Sequence, residues 1–227
     1  LRSSQQRKCE MRDPKLIWIT PDAEELLCYI ARVTNPNVQA KAPGSLISYM
    51  IKHGHWSPFE MVNMCVEINT TRTIGRQFLR HSPKVQEFSQ RYEEPNKLGE
   101  FVFSKARIQD EKNRQASHTT DNVELNNWWQ EQQIELERYV KQLYANARKM
   151  GIAKELARNV LPEGMTPTRM YFNGNLRDWL FLINIRMGHG TQSEATLVAN
   201  SLYEITMKEF PITGFEFFSL NQTTNQS

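Results

Sequence analysis

Cysteine is scarce: the 227 residues include three, Cys9, Cys28 and Cys65, an odd number set far apart. That spacing excludes a disulfide framework and a zinc module, and it fits a reducing cytoplasmic setting. Long apolar runs are missing as well. The longest, Trp179 to Ile183, is far too short to cross a bilayer, and the polar, basic start from Leu1 to Lys15 lacks the apolar centre of a secretory signal. Nor is there an excess of one charge. With 28 Lys and Arg against 25 Asp and Glu, the net +3 argues against nucleic acid or a membrane surface as partner. No internal repeat and no linker divides the chain, so a single domain over 1–227 is expected, with 1–15 as an N-terminal arm and 221–227 as a flexible tail. Hydrophobic content of 39% and charged content of 23% are those of a soluble globular protein.

What is present is periodicity. Residues 16–19 predict a strand, and Thr20-Pro21 opens a helix whose stripe is Ala23, Leu26, Leu27, Ile30 and Ala31, closed by Asn35-Pro36. Leu46, Ile47, Met50 and Ile51 predict a second helix over 44–53. Val62, Met64, Val66 and Ile68 alternate with polar residues, the period of a half-buried strand. The stretch 101–121 is polar and expected to be irregular, apart from a short strand at 101–103. A long helix over 122–150, a short one carrying Leu156, Ala157 and Val160, a strand over 166–172 and helices from 176 and 193 complete the chain. The Trp128-Trp129 pair on the long helix is expected in a core or a subunit interface rather than as a platform for bases.

The densest chemistry lies between Arg76 and Tyr92. A helix over 71–81 puts Ile74 and Phe78 on one face and Arg72, Arg76 and Arg80 on another, and Pro83 stops it. From Ser82 an extended loop is expected, carrying Gln86, Glu87, Ser89, Gln90, Arg91 and Tyr92. A hydroxyl beside an arginine, with free backbone amides between, is a cradle for phosphate, because an anion is held best by several converging donors. Glu87, among these cations, can accept hydrogen bonds from a ring or a sugar. His53 and His55 stand two apart near Glu60, but no further ligand is spaced to complete a set, so no metal is expected.

Arg80-His81 followed by Gln86-Glu87-Phe88-Ser89-Gln90-Arg91-Tyr92 resembles the signature of the flavin-dependent thymidylate synthases, an Arg-His-Arg with a downstream Glu, Ser and Arg-Tyr. Other patches resemble the same family: Ala31-Arg32-Val33-Thr34, His55-Trp56-Ser57-Pro58-Phe59-Glu60, Leu161-Pro162 with Thr168-Arg169, Asn184-Ile185-Arg186, and Gln192-Ser193-Glu194. Two departures stand out. Ser82 occupies the place of the second signature arginine, with the spacing to Ser89 one residue short, and Ala195-Thr196 stands where the family commonly has Ile-Arg.

The resemblance implies an α+β fold with a mixed or antiparallel sheet flanked by helices, assembled as a homotetramer. It implies reductive methylation of dUMP to dTMP, with methylenetetrahydrofolate as carbon donor, FAD as hydride carrier and NADPH as reductant. By the family pattern, dUMP meets Gln77, Arg80, Glu87, Ser89, Gln90, Arg91 and Arg169. FAD meets Thr34, His55, Ser57, Glu60, Arg80, His81, Glu87, Asn184 and Arg186. Arg80, Glu87 and Ser89 are the catalytic candidates. No cysteine sits beside arginines in a phosphate-binding context, so the covalent route of the unrelated thymidylate synthases is not expected. The departures leave a second reading, a flavin- and nucleotide-binding homologue with impaired or redirected transfer.

Overall fold

The computed structural model describes residues 13–80, 83–188 and 190–224. Helices and a four-stranded sheet make up the fold. Strands β1 (Lys15–Ile19), β2 (Asn63–Thr71), β3 (Lys84–Glu87) and β6 (Pro167–Asn175) lie in the order β1-β2-β6-β3, and β4 (Arg107–Gln109) pairs with β5 (Ser117–Thr119) in a separate hairpin. β1 and β2 are antiparallel, with Lys15 opposite Glu67 and Ile19 opposite Met64, and a bulge between Leu16 and Trp18. The chain clusters into two compact units. The first holds Asn69–Gln77 and Glu87–Met170, the second Asp13–Ile68, Phe78–Gln86 and the residues from Tyr171 onward. Strands β2 and β6 each contribute residues to both.

In the first unit, α4 (Val123–Lys149) starts where Asn122 accepts the Leu125 amide at 2.9 Å, as its sequence predicts. It packs Val140 with Phe101 and Met165. The strand expected at 101–103 does not form, because the partners of this backbone lie elsewhere. Val102 N–H donates to the Met165 carbonyl at 2.8 Å, and the Gln133 carboxamide closes a reciprocal pair with the Ser104 backbone, 2.9 Å each way. The hairpin β4–β5 follows within the stretch expected to be irregular. After α4, α5 (Lys154–Ala157) leads back toward β6.

Tyr144 on α4 donates to Glu94 at 2.8 Å, and burial, then this bond, pushes its phenol up from 10.0 to about 12. A folded pKa above the unfolded one adds stability that is complete below pH 10 and lost as pH rises toward about 12. Wild type should therefore lose its advantage over Tyr144→Phe across that window in urea unfolding, and a pH-independent difference would contradict the raised pKa.

α3 (Arg72–Phe78) buries Ile74 and Phe78 as expected but stops short of Arg80. Gly75 on α3 faces Met170 so closely that a Cβ there would lie 2.6 Å from its sulfur. With Met170 almost fully buried, Gly75→Ala should destabilise by about 1–3 kcal/mol in denaturant titration, and a neutral effect would show that Met170 can yield.

The second unit contains α1 (Ala23–Ala31), α2 (Ser45–Lys52), α6 (Leu176–Met187), α7 (Ser193–Glu209) and α8 (Pro211–Thr224). Leu27, Ile47, Phe59, Met64, Trp179, Leu180, Ile183, Leu202 and Phe210 are fully buried. Trp179 donates its indole N–H to the Met64 carbonyl at 2.9 Å. Buried Glu24 accepts the amides of Ile212 and Thr213, at 3.3 and 2.6 Å, so this carboxylate serves the N-terminus of α8 as well as its own helix. The tail expected to be flexible from 221 is helical to Thr224, and Lys15, placed in the arm, begins β1.

Candidate functional site

The signature includes a strand where a loop was expected: Lys84–Glu87 form β3, of which Lys84–Gln86 fall in the second unit and Glu87 in the first, correcting the expectation for this stretch. Phe88 N–H donates to the Arg169 carbonyl at 2.9 Å, which places the Ser89–Tyr92 turn against β6. The turn is held by the Ser89 oxygens. The hydroxyl accepts the Arg91 amide at 3.3 Å and the carbonyl accepts the Tyr92 amide at 3.2 Å. The Arg91 amide is thus engaged within the turn.

The Arg91 guanidinium is more than half exposed, with only a loose 3.9 Å pairing to Glu155. Arg169 donates to Asn69 at 3.0 Å. Gln90 is 4% exposed, and its side-chain Nε2 finds no acceptor among the described residues. A buried amide donor without an acceptor is costly, and a ligand oxygen would satisfy it. Gln77, half-buried on α3, belongs to this unit too.

Glu87 is set by two side chains that sequence reasoning did not assign to the site. Its Oε1 accepts the Thr168 hydroxyl at 2.8 Å and pairs with Arg72 at 3.1 Å. Arg72 also lies 3.9 Å from Glu163, which receives a forked contact from Arg76, 2.8 Å from Nε. The Arg76 bond, as the leading cause, holds the Glu163 carboxyl below its ordinary range. Arg72 and Arg76 do share a helix face as expected. Arg80 does not join them, because α3 has ended, and it falls in the second unit.

In the second unit, Thr34 is exposed just after α1. Nearby Arg32 pins the following loop by donating to the carbonyls of Gln39, Lys41 and Ala42, the last at 3.0 Å. Arg32, Lys41, Ser45 and Tyr49 help line a concavity of about 400 Å³. His55 follows α2, where Tyr49 stacks on His53 at 4.1 Å and meets His55 edge-on at 5.8 Å. Ser57 is exposed, and Glu60 is engaged by Arg177 in an exposed ion pair. Asn184 and Arg186 are half-buried at the end of α6. Burial first, and the charge of Arg80 second, lower the Arg186 guanidinium, so two cations stand close together at a partly desolvated place that suits an anion. His81 and Ser82 lie outside the described residues.

Burial pushes the Cys28 thiol up to about 11, outweighing nearby Arg32, and raises Cys65 as well. Both remain thiols at neutral pH and make poor nucleophiles. Among the described residues no three His, Cys, Asp or Glu side chains converge as a metal needs, and no helix is long and apolar enough to cross a membrane.

The family model described as thymidylate synthase complementing protein matches residues 15–212. A probable flavin-dependent thymidylate synthase of Paramecium bursaria Chlorella virus 1 is 45% identical over 83% of this chain and 88% of its own length. A flavin-dependent thymidylate synthase of Synechocystis is 41% identical over 83% and 86%. The crystal structure of the UMP/dUMP methylase PolB from Streptomyces cacaoi, bound with 5-Br dUMP, shares the fold with a TM-score of 0.77 at 24% identity, over 92% of this chain and 96% of that one.

Proposed function

The chain belongs to the flavin-dependent thymidylate synthases, and we propose on that premise that its first unit binds the nucleotide and its second the flavin. It is an FAD-dependent methyltransferase that converts dUMP to dTMP, using methylenetetrahydrofolate and NADPH as co-substrates. When bound, the flavin supplies the hydride, and the protein binds, orients and polarises. In our reading Ser89, Gln90, Arg91 and Arg169 hold the dUMP phosphate and Gln77 and Glu87 orient the nucleotide, a role that Arg80 shares by the family pattern alone.

The second unit fits the flavin through the chemistry of its donors. Arg186 and Arg80 suit its pyrophosphate, the Tyr49–His53–His55 rings suit a planar ring system, and Thr34, Ser57, Glu60 and Asn184 supply polar contacts. Arg80 and Glu87 take their double role, toward both ligands, from the family pattern, as does His81. A single domain over the whole chain is supported by strands shared between the units. Self-association as a homotetramer is supported by α4, where Trp128, Leu136, Tyr139 and Leu143 lie exposed along one side of the helix. A cytoplasmic location accords with the buried free thiols at 28 and 65.

The observation that carries the nucleotide reading is the buried, unpartnered Gln90 Nε2 in the turn that also carries Ser89 and Arg91. Gln90→Met keeps the volume and removes the donor. It should weaken dUMP binding about tenfold in calorimetric titration while leaving the ligand-free protein as stable or more so, since an unsatisfied buried group is gone. Unchanged affinity would count against a ligand oxygen at Gln90.

A further inference from the structure

We propose that Arg72 is a positioning residue for the nucleotide, anchoring one oxygen of Glu87 so that the other is presented to a ligand donor. This rests on the reading of the first unit as the nucleotide site. Glu87 Oε1 carries both protein contacts, Arg72 at 3.1 Å and the Thr168 hydroxyl at 2.8 Å. Both of these contacts fall on the same oxygen, and the Glu87 side chain is only 27% exposed. A carboxylate gripped through one oxygen keeps a fixed plane, and its second oxygen is a ready acceptor for a ring N–H or a sugar hydroxyl.

Arg72 is itself held from three sides. Its amide donates to the Thr166 carbonyl at 3.0 Å, its guanidinium is 14% exposed, and Glu163, clamped by Arg76, lies 3.9 Å from its Nε. Cations and carboxylates alternate along Arg76, Glu163, Arg72 and Glu87, so each charge is flanked by its opposite. The first turn of α3 and the turn before β6 thereby fix the orientation of Glu87.

The test is a double-mutant cycle on dUMP affinity, measured by calorimetry on flavin-loaded protein. Arg72→Met and Glu87→Gln should each raise the dUMP Kd about tenfold, and the double variant should also stay near tenfold, because both remove the same oriented acceptor. If Arg72→Met does not fold, Arg72→Lys, which keeps the charge but loses the planar fork, takes its place with the same expectation. Effects that multiply to about a hundredfold in the double variant, or wild-type affinity in the Arg72 variant, would overturn the positioning role. N3-methyl-dUMP and 3′-deoxy-dUMP identify the donor: the analogue that no longer distinguishes wild type from the Arg72 variant has lost the hydrogen Glu87 accepts. If both analogues still distinguish them, the contact is overturned. Absence of dUMP binding by wild type would overturn the nucleotide reading itself, a different result from binding with uncoupled variants.

Discussion

Removing the Ser89 hydroxyl and the Arg91 guanidinium together should weaken dUMP binding by about two orders of magnitude or more, since each charge-assisted phosphate contact contributes about 1.5–3 kcal/mol. The folded state should hardly notice. Arg91 is 57% exposed and its pairing with Glu155 spans 3.9 Å, the kind of surface contact whose removal is close to neutral. Among the described residues the Ser89 hydroxyl accepts only the Arg91 amide, at 3.3 Å, within a turn that the Ser89 carbonyl also closes. Ser89→Ala/Arg91→Ala therefore separates binding from folding: a large rise in the calorimetric Kd with little change in the unfolding midpoint. Retained affinity would move the phosphate away from this turn. A collapse in stability would instead give these residues a role in the fold that their exposure does not suggest.

The largest effect on stability should come from Trp179→Ala. The side chain is fully buried, meets Phe172 edge-on at 6.4 Å and bonds the Met64 carbonyl. Truncation leaves a cavity and an orphaned carbonyl, a loss of about 3–5 kcal/mol against total stabilities of about 5–15 kcal/mol. Trp179→Phe refills much of the space without restoring the bond and should cost about 1–3 kcal/mol. α6 also carries Asn184 and Arg186, so the alanine variant should lose flavin on purification as well. Full stability with retained flavin would mean that α6 is not held by this contact.

The sequence made some of this legible and hid the rest for physical reasons. Alternation along Val62, Met64, Val66 and Ile68 marked β2, and Asn122 marked the start of α4, because both signals are local. The stripe of Arg72, Arg76 and Arg80 was only partly right. Helical spacing predicts a shared face only while the helix lasts, and α3 ends at Phe78. The backbone at 101–103 was misread as a strand because its partner, the Met165 carbonyl, is remote in sequence. Glu163 could not be tied to the signature for the same reason: it lies 87 residues from Arg76 and no spacing rule connects them. Thr168, by contrast, stood beside Arg169 in a patch already singled out, and the alternation of β6 put it on the opposite face, which is where Glu87 meets it.

The signature itself was readable because its residue types are unusual together, and it located the turn that Gln90 and Arg91 occupy. The place of Ser82 was equally visible: where the family pattern has a second arginine after His81, a cation expected near the flavin or the nucleotide is absent. The most direct measurement is thymidylate formation by the purified protein, given dUMP, FAD, NADPH and methylenetetrahydrofolate, with products separated by chromatography. The expected result is dTMP that accumulates only when flavin and folate are both present, in step with NADPH consumption. Flavin bound and NADPH consumed with no dTMP, both as the chain stands and with an arginine inserted after His81, would contradict the assignment and favour a homologue whose transfer has been redirected.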